Sequence, residues 1–307
     1  AALRVPAVLE ATDAVLAGGA GRTVEVDLPG LVERHLSAQV GPLRPPTSAG
    51  AAAVVTLTDI TGMKRSERMR QDFVANASHE LRTPLATLLG FIETLRGPAR
   101  DDNAARERFL SIMAEQASRM ARLVDDLLSL SRIELNEHLA PKERVDLRRV
   151  LIAVADGLEQ RAAKRQMRID VALPDSLPDV VGDPDEIVQV FQNLIDNAIK
   201  YGRSGTAVEV TAGASPRRLA GALAAEVAIR DHGEGILAEQ IPRLTERFYR
   251  VDPARSRELG GTGLGLAIVK HIVNHHRGLL EIESELGQGS VFTVHLPIVE
   301  TAEPRRL

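Results

Sequence analysis

A chain of 307 residues with 44% apolar and 26% charged side chains has the texture of a soluble globular protein, and it exceeds what one hydrophobic core usually organises, so two or three domains are expected. A net charge of −4 with no dominant cluster of Lys and Arg argues against nucleic acid as a partner, and the lack of cysteine excludes disulfides, thiolate zinc sites and cysteine nucleophiles while suiting a reducing cytoplasm. No apolar run approaches the roughly 18 residues of a membrane helix, so the chain as given is expected to be cytoplasmic; because it begins Ala1-Ala2, a membrane anchor upstream is compatible with it.

Residues 1–62 read as one apolar-rich helix over 5–16, ended by Gly18-Gly19, and two or three strands, with alternation at 23–28 and 53–57 around a Gly/Pro-rich stretch at 41–50. That is too little for a closed sheet domain. From 61 to 96 the pattern is helical, with Phe73, Ala77, Leu81, Leu85, Leu88, Ile92 and Leu95 three or four apart. A loop at 97–103 leads to a second series, Phe109, Met113, Gln116, Met120, Leu123, Leu127 and Leu130. Two helices with such narrow seams form a hairpin that leaves an apolar stripe uncovered, and two hairpins from two chains complete a four-helix bundle. After Pro141 helical stretches at 147–165, 184–201 and 263–276 alternate with strand-like 167–173, 207–212, 226–230, 279–284 and 290–296, which predicts a compact α/β domain.

Inside the first hairpin helix, Ser78-His79-Glu80-Leu81-Arg82-Thr83-Pro84-Leu85 sets a histidine, a carboxylate and a proline in sequence. Pro84 cannot donate to the carbonyl of Glu80 and is expected to kink the helix beside His79. His79 falls between the seam positions Ala77 and Leu81 and should reach the surface. As a nucleophile its ring must be neutral, with one nitrogen free and the other protonated, and Glu80 is placed to accept from the second. Taken alone, these two residues read as an ordinary surface histidine beside a glutamate, and the flanking residues change that reading.

Further on, Asn193, Asn197 and Tyr201 are four apart on one helix face with Lys200 near. Carboxamide oxygens suit a hydrated Mg2+ and lysine neutralises phosphate, although a solvated polar face has the same pattern. Asp231-His232-Gly233-Glu234-Gly235 follows a strand: Asp231 can accept from an amine, and Gly233 and Gly235 let backbone approach a flat ring. The run Gly260-Gly261-Thr262-Gly263-Leu264-Gly265 opens a helix whose free N–H groups suit phosphate, yet it is neither a dinucleotide fingerprint nor a P-loop.

The segment 78–85 resembles the H-box of the dimerising phosphoacceptor domain of histidine kinases. Taken in order, the helix at 193–201, the two glycine-containing segments and Gly287-Gln288-Gly289-Ser290 resemble the N-box and glycine boxes of the ATPase fold shared by gyrase, the Hsp90 chaperones, histidine kinases and MutL, and Phe248-Tyr249-Arg250 is similar to the kinase F-box. The likeness spans residues 66–298. It implies that His79 is autophosphorylated, that Glu80 assists as base, and that Thr83 helps orient a water that dephosphorylates the partner. It further implies that Asn197 binds Mg2+ with Asn193 assisting, that Asp231 reads the adenine amine of ATP, that Tyr201 packs on the base, and that Lys200, Arg250 and the loop from Gly261 and Thr262 through Gly263, Leu264 and Gly265 meet the phosphates. Residues 251–261 would be a mobile ATP lid. Residues 1–62 look like the C-terminal half of a PAS sensor domain, with Thr58-Asp59-Ile60-Thr61 as its exit, and the whole set is similar to the phosphate-sensing class of sensor kinases, whose full-length members carry membrane segments upstream.

The expected architecture is therefore multidomain: a partial PAS-like α+β fragment (1–62), an antiparallel helical hairpin forming a dimeric four-helix bundle (63–136), a hinge (137–144), an α/β sandwich ATPase domain (145–299) and a tail (300–307). The expected function is that of a sensor histidine kinase: a homodimer that uses ATP and Mg2+ to phosphorylate His79 and passes the phosphoryl group to an aspartate on a response regulator receiver domain. A hydrolytic ATPase of the gyrase or chaperone kind would have a general-base glutamate where Asn193 stands; a scaffold or dedicated phosphatase would not need the intact nucleotide boxes. His271 and His275, four apart, lack a third ligand and read as a solvated face, and Asp101-Asp102 and Asp125-Asp126 read as surface charge.

Overall fold

The structure, a computed structural model, describes residues 5–29, 33–43, 53–136, 139, 141–219 and 221–299. The expected tail (300–307), most of the Gly/Pro-rich stretch (44–50) and hinge positions 137, 138 and 140 lie outside the described residues. The chain divides into two units, residues 1–78 and 79–307.

In the first unit, helix α1 (Pro6–Leu16) lies on an antiparallel sheet of β1 (Arg22–Leu28), β2 (Arg34–Pro42) and β3 (Ala53–Asp59) in that order. Pro6 opens α1, where its missing N–H costs nothing. Val8, Ala11 and Val15, three and four apart, face Val26, Ala38 and Val40 of the sheet. The middle strand is more than the sequence pattern predicts, because its inward positions include His35, whose Nδ1 lies 2.5 Å from Asp27 Oδ1. The chain turns into α2 at Thr61, whose N–H donates to Asp59 Oδ1.

Helix α2 (Thr61–Arg96) runs 36 residues through Pro84 without interruption, and α3 (Asn103–Asn136) runs 34. Asp102 accepts from the N–H groups of Ala104 and Ala105 and so caps α3, a role the surface-charge reading of Asp101-Asp102 misses. Near the turn Phe91 stacks on Phe109 at 4.8 Å. Leu85, Leu89, Ile92, Val124 and Leu128 remain exposed, the uncovered stripe expected of such a hairpin.

Residues 141–299 form a two-layer α/β sandwich. The sheet has the order β5-β7-β8-β10-β9, made of β5 (Arg168–Ala172), β7 (Ala207–Leu219), β8 (Ala222–Asp231), β9 (Leu279–Glu285) and β10 (Gly289–Pro297); β5 pairs parallel to β7 and the other pairs are antiparallel. A short pair, β4 (Glu143–Val145) and β6 (Val180–Gly182), adjoins the end of β10 through a bridge from Val180 to Ile298. Over the sheet pack α4 (Leu147–Lys164), α5 (Pro184–Tyr201) and α7 (Gly265–His275). Asp183 caps α5 through the N–H groups of Asp185 and Glu186. Ile187, Val190, Phe191, Leu194, Ile195, Ala198 and Ile199 fill its buried face, so the intervening polar positions point the other way. A short helix α6 (Pro253–Glu258) lies within the expected lid.

Candidate active site

The buried stripe of α5 leaves Asn193, Asn197, Lys200 and Tyr201 on a cavity of about 550 Å³. Asp231, Gly235, Arg250, Gly261, Thr262, Gly263 and Gly265 also line it, so the polar face of α5 is a wall rather than a solvated surface. Asp231 ends β8 and is 4% exposed. Burial pushes its carboxyl up from the ordinary value, against the pull of the backbone N–H groups of Gly233 and Ser290. Gly233 serves by that bond, 2.8 Å from its N to Asp231 Oδ1, and does not line the cavity.

The glycine-rich run reaches this cavity by close backbone contacts. Gly263 has φ of +76°, and a Cβ there would stand 2.9 Å from Phe248 Cα; the Gly263 carbonyl accepts from the Phe248 N–H at 2.8 Å. Gly235, at φ +73°, lies against the Glu285 carbonyl where no side chain fits. Gly265 starts α7 beside Asn193 Oδ1. Leu264 buries its side chain fully in the core, and its N–H lies 3.3 Å from Thr262 Oγ1 in the loop. Lys200 Nζ is paired with Asp196 at 2.8 Å, and Tyr201 meets Ser256 Oγ of α6 at 3.2 Å.

The hairpin supplies part of the same wall. Arg122, Asp125 and Asp126 of α3 line the cavity, and Thr262 Oγ1 donates to Asp126 Oδ2 at 2.7 Å. Asp125 and Asp126 are therefore not plain surface charge, as their spacing suggests, because α3 lies against α7. Burial pushes the Asp126 carboxyl up, opposed by Thr262 and the charge of Lys200.

His79 is exposed on α2, and among the described residues its ring makes no hydrogen bond. Thr83 is also exposed and donates to the His79 carbonyl. Glu80 is engaged by two arginines: Arg250 holds both its oxygens, at 3.1 and 2.9 Å, and Arg119 of α3 donates to Oε2 at 2.9 Å. Helix α2 and the cavity thus meet at Arg250, which lines the cavity and also donates to the Thr262 carbonyl. Such fork-to-fork pairing is the strong form of an ion pair.

His275 differs from the solvated-face reading. It is 6% exposed and bonds Glu186 and the Leu139 carbonyl, because α7 turns this face toward α5 and the linker. Glu186, His275 and His276 gather three possible ligand atoms, yet both nitrogens of His276 are taken, Nδ1 facing the Ile272 carbonyl and Nε2 accepting from the Asp183 N–H. The cluster is a structural network, and no metal is assigned to it.

Comparison with known proteins agrees with this layout. Residues 69–136 match the His Kinase A (phospho-acceptor) domain, and residues 182–300 match the histidine kinase-, DNA gyrase B-, and HSP90-like ATPase family. The chain belongs to the sensor histidine kinases. It is 39% identical over 255 residues to the phosphate regulon sensor protein PhoR of Pseudomonas aeruginosa, covering 82% of this chain and 56% of that protein, so it spans little more than half of that relative. Its fold is similar to that of the Acinetobacter baumannii histidine kinase AdeS, with a TM-score of 0.55 and 28% identity over 72% of this chain and 98% of that one. It is also similar to histidine kinase ThkA, solved in complex with response regulator protein TrrA, with a TM-score of 0.57 at 20% identity over 98% of this chain and 86% of that one. No described helix is long and apolar enough to cross a membrane.

Proposed function

We propose that this chain autophosphorylates on His79 with ATP bound in the cavity beneath α5, and then donates the phosphoryl group to an aspartate of a response regulator. The observation that carries the reading is the Arg250–Glu80 pair, which joins the residue next to His79 to a residue lining the cavity. His79 attacks the γ-phosphorus through one ring nitrogen. The bond to the bridging oxygen breaks, its electron pair leaves with ADP, and Glu80 accepts the proton of the other ring nitrogen.

The remaining residues bind and orient. Asp231 accepts from the adenine amine, Tyr201 covers the ring, and Lys200, Arg250 and the N–H groups around Gly261 to Gly265 hold the phosphates, which requires Lys200 to exchange Asp196 for the ligand. The carboxamides of Asn193 and Asn197 beside that loop have the donor chemistry for Mg2+, which when bound neutralises phosphate charge. Thr83, one turn beyond His79, is assigned to the reverse reaction, orienting water toward the phosphorylated regulator. The exposed stripe of Leu85, Leu89, Ile92, Val124 and Leu128 is the surface of a homodimeric bundle. The boundaries that fit this division of labour are 63–136 for the phosphoacceptor hairpin and 145–299 for the ATPase domain, with 137–144 as hinge. The part of the phosphate-regulon relative that this chain does not span has room for an anchor that would hold the ATP site at the cytoplasmic face of a membrane.

Incubation with γ-labelled ATP should give an acid-labile, base-stable label that His79→Ala abolishes. Labelling of that variant at the wild-type level refutes the assignment of the nucleophile.

A further inference from the structure

We infer that Arg119 is a positioning residue for the phosphoryl transfer proposed above: it keeps the Glu80 carboxylate fixed on the hairpin while Arg250, the second guanidinium on that carboxylate, is the exchangeable one. The inference rests on the reading of His79 as nucleophile and Glu80 as proton acceptor.

The two arginines differ in what surrounds them. Arg119 stands on α3, the other arm of the hairpin that carries Glu80; its side chain is 13% exposed, and its Nη2 donates to Oε2. It does not line the cavity. Arg250 comes from the other side of the linker, lines the cavity, and is 7% exposed. Its Nε is buried without a hydrogen-bond partner among the described residues. A buried N–H with no acceptor is costly, and a guanidinium that turns into the cavity it lines would gain the oxygens of a triphosphate bound there. Nucleotide therefore offers Arg250 a better-satisfied arrangement and offers Arg119 nothing.

A carboxylate has about four acceptor positions, and three N–H groups fill three of those of Glu80, two on Oε2 and one on Oε1. When Arg250 turns to the phosphates, Oε1 is left entirely free and Oε2 keeps its bond to Arg119. One oxygen is then available for the proton of the His79 ring while the other anchors the group. Without Arg119 the released side chain samples its rotamers, and only a fraction of them reach the histidine. The geometry makes Arg250 the link between nucleotide binding and release of the base, and Arg119 the reason the released base stays in place.

The test is autophosphorylation of this whole chain at saturating ATP for Arg119→Ala, Arg119→Lys, Glu80→Gln and the double variant Arg119→Ala/Glu80→Gln. General-base assistance contributes roughly 100- to 10,000-fold, so loss of its positioning is expected to lower kcat roughly tenfold or more in Arg119→Ala with KM for ATP unchanged. Arg119→Lys, which keeps one cationic donor, should recover part of the rate, and Arg119→Ala should cost nothing further in the Glu80→Gln background. If Arg119→Ala does not fold, the Lys variant carries the same comparison alone and with Glu80→Gln. An equal loss with and without Glu80, or a raised KM with kcat unchanged, overturns the proposal. A wild-type rate in Glu80→Gln overturns the earlier assignment of Glu80 as proton acceptor, and this proposal with it.

Discussion

His275 bonds two groups that only accept: Nδ1 lies 2.8 Å from Glu186 Oε2, and Nε2 lies 2.8 Å from the Leu139 carbonyl oxygen. Both ring nitrogens must therefore carry hydrogen, which makes the ring an imidazolium. Burial alone favours the neutral ring, but Glu186, the Leu139 carbonyl and the charge of Asp183 outweigh it, and the pKa lies above the ordinary value of 6.5. His276, packed against it, stays on the other side of the balance, pushed down by burial. His275→Ala removes a charge-assisted bond worth about 1.5–3 kcal/mol and strips the Leu139 carbonyl of its donor, so a loss near the top of that range is expected below pH 6. For a unit of this size that is a fall in Tm of about 6–12 °C. A histidine whose folded pKa is raised contributes fully below its unfolded value and loses that contribution as pH rises through the folded one. Thermal unfolding of both proteins at pH 6 and pH 9 should show a gap that narrows at the higher pH. An equal gap at the two pH values would refute the charged state of His275.

Two further outcomes concern the cavity. Asp231→Asn presents an N–H where the adenine amine needs an acceptor, so nucleotide affinity should fall roughly tenfold and preference for ATP over GTP should shrink; titration calorimetry with both nucleotides checks this, and an unchanged preference refutes the role of Asp231. Asp126→Asn keeps an acceptor for Thr262 and removes a carboxylate whose pKa burial has raised. The wild-type penalty is absent at low pH and appears as pH rises through the folded pKa, so the variant should gain a few degrees in Tm at high pH and nothing at low pH, as unfolding curves across pH would record.

Much of this architecture is legible in the sequence because it repeats locally. The apolar steps of α3 pick out Leu123 and Leu130, which are buried, the spacing of Asn193, Asn197 and Tyr201 predicts the polar face of α5, and the glycine run predicts the start of α7. The less legible parts depend on residues far apart in the chain. Strand β2 hides a buried histidine where alternation calls for an apolar residue. Strand β7 extends to Leu219 across an irregular register between Ser215 and Arg218, beyond the alternating stretch that marks its start. Asp126, Arg119 and His275 read as ordinary polar residues on helices, and only packing gives them Thr262, Glu80 and Leu139 as partners.

With ATP in the cavity as proposed, the wall contributed by Arg122, Asp125 and Asp126 would make nucleotide binding and docking of the ATPase domain on the hairpin two faces of one equilibrium. By thermodynamic reciprocity, whatever factor docking applies to ATP affinity, ATP applies to docking. A protein that occupies the hairpin and displaces the docked domain would therefore alter nucleotide affinity without touching the nucleotide, so a titration of ATP would register the arrival of a partner tens of residues away in the chain.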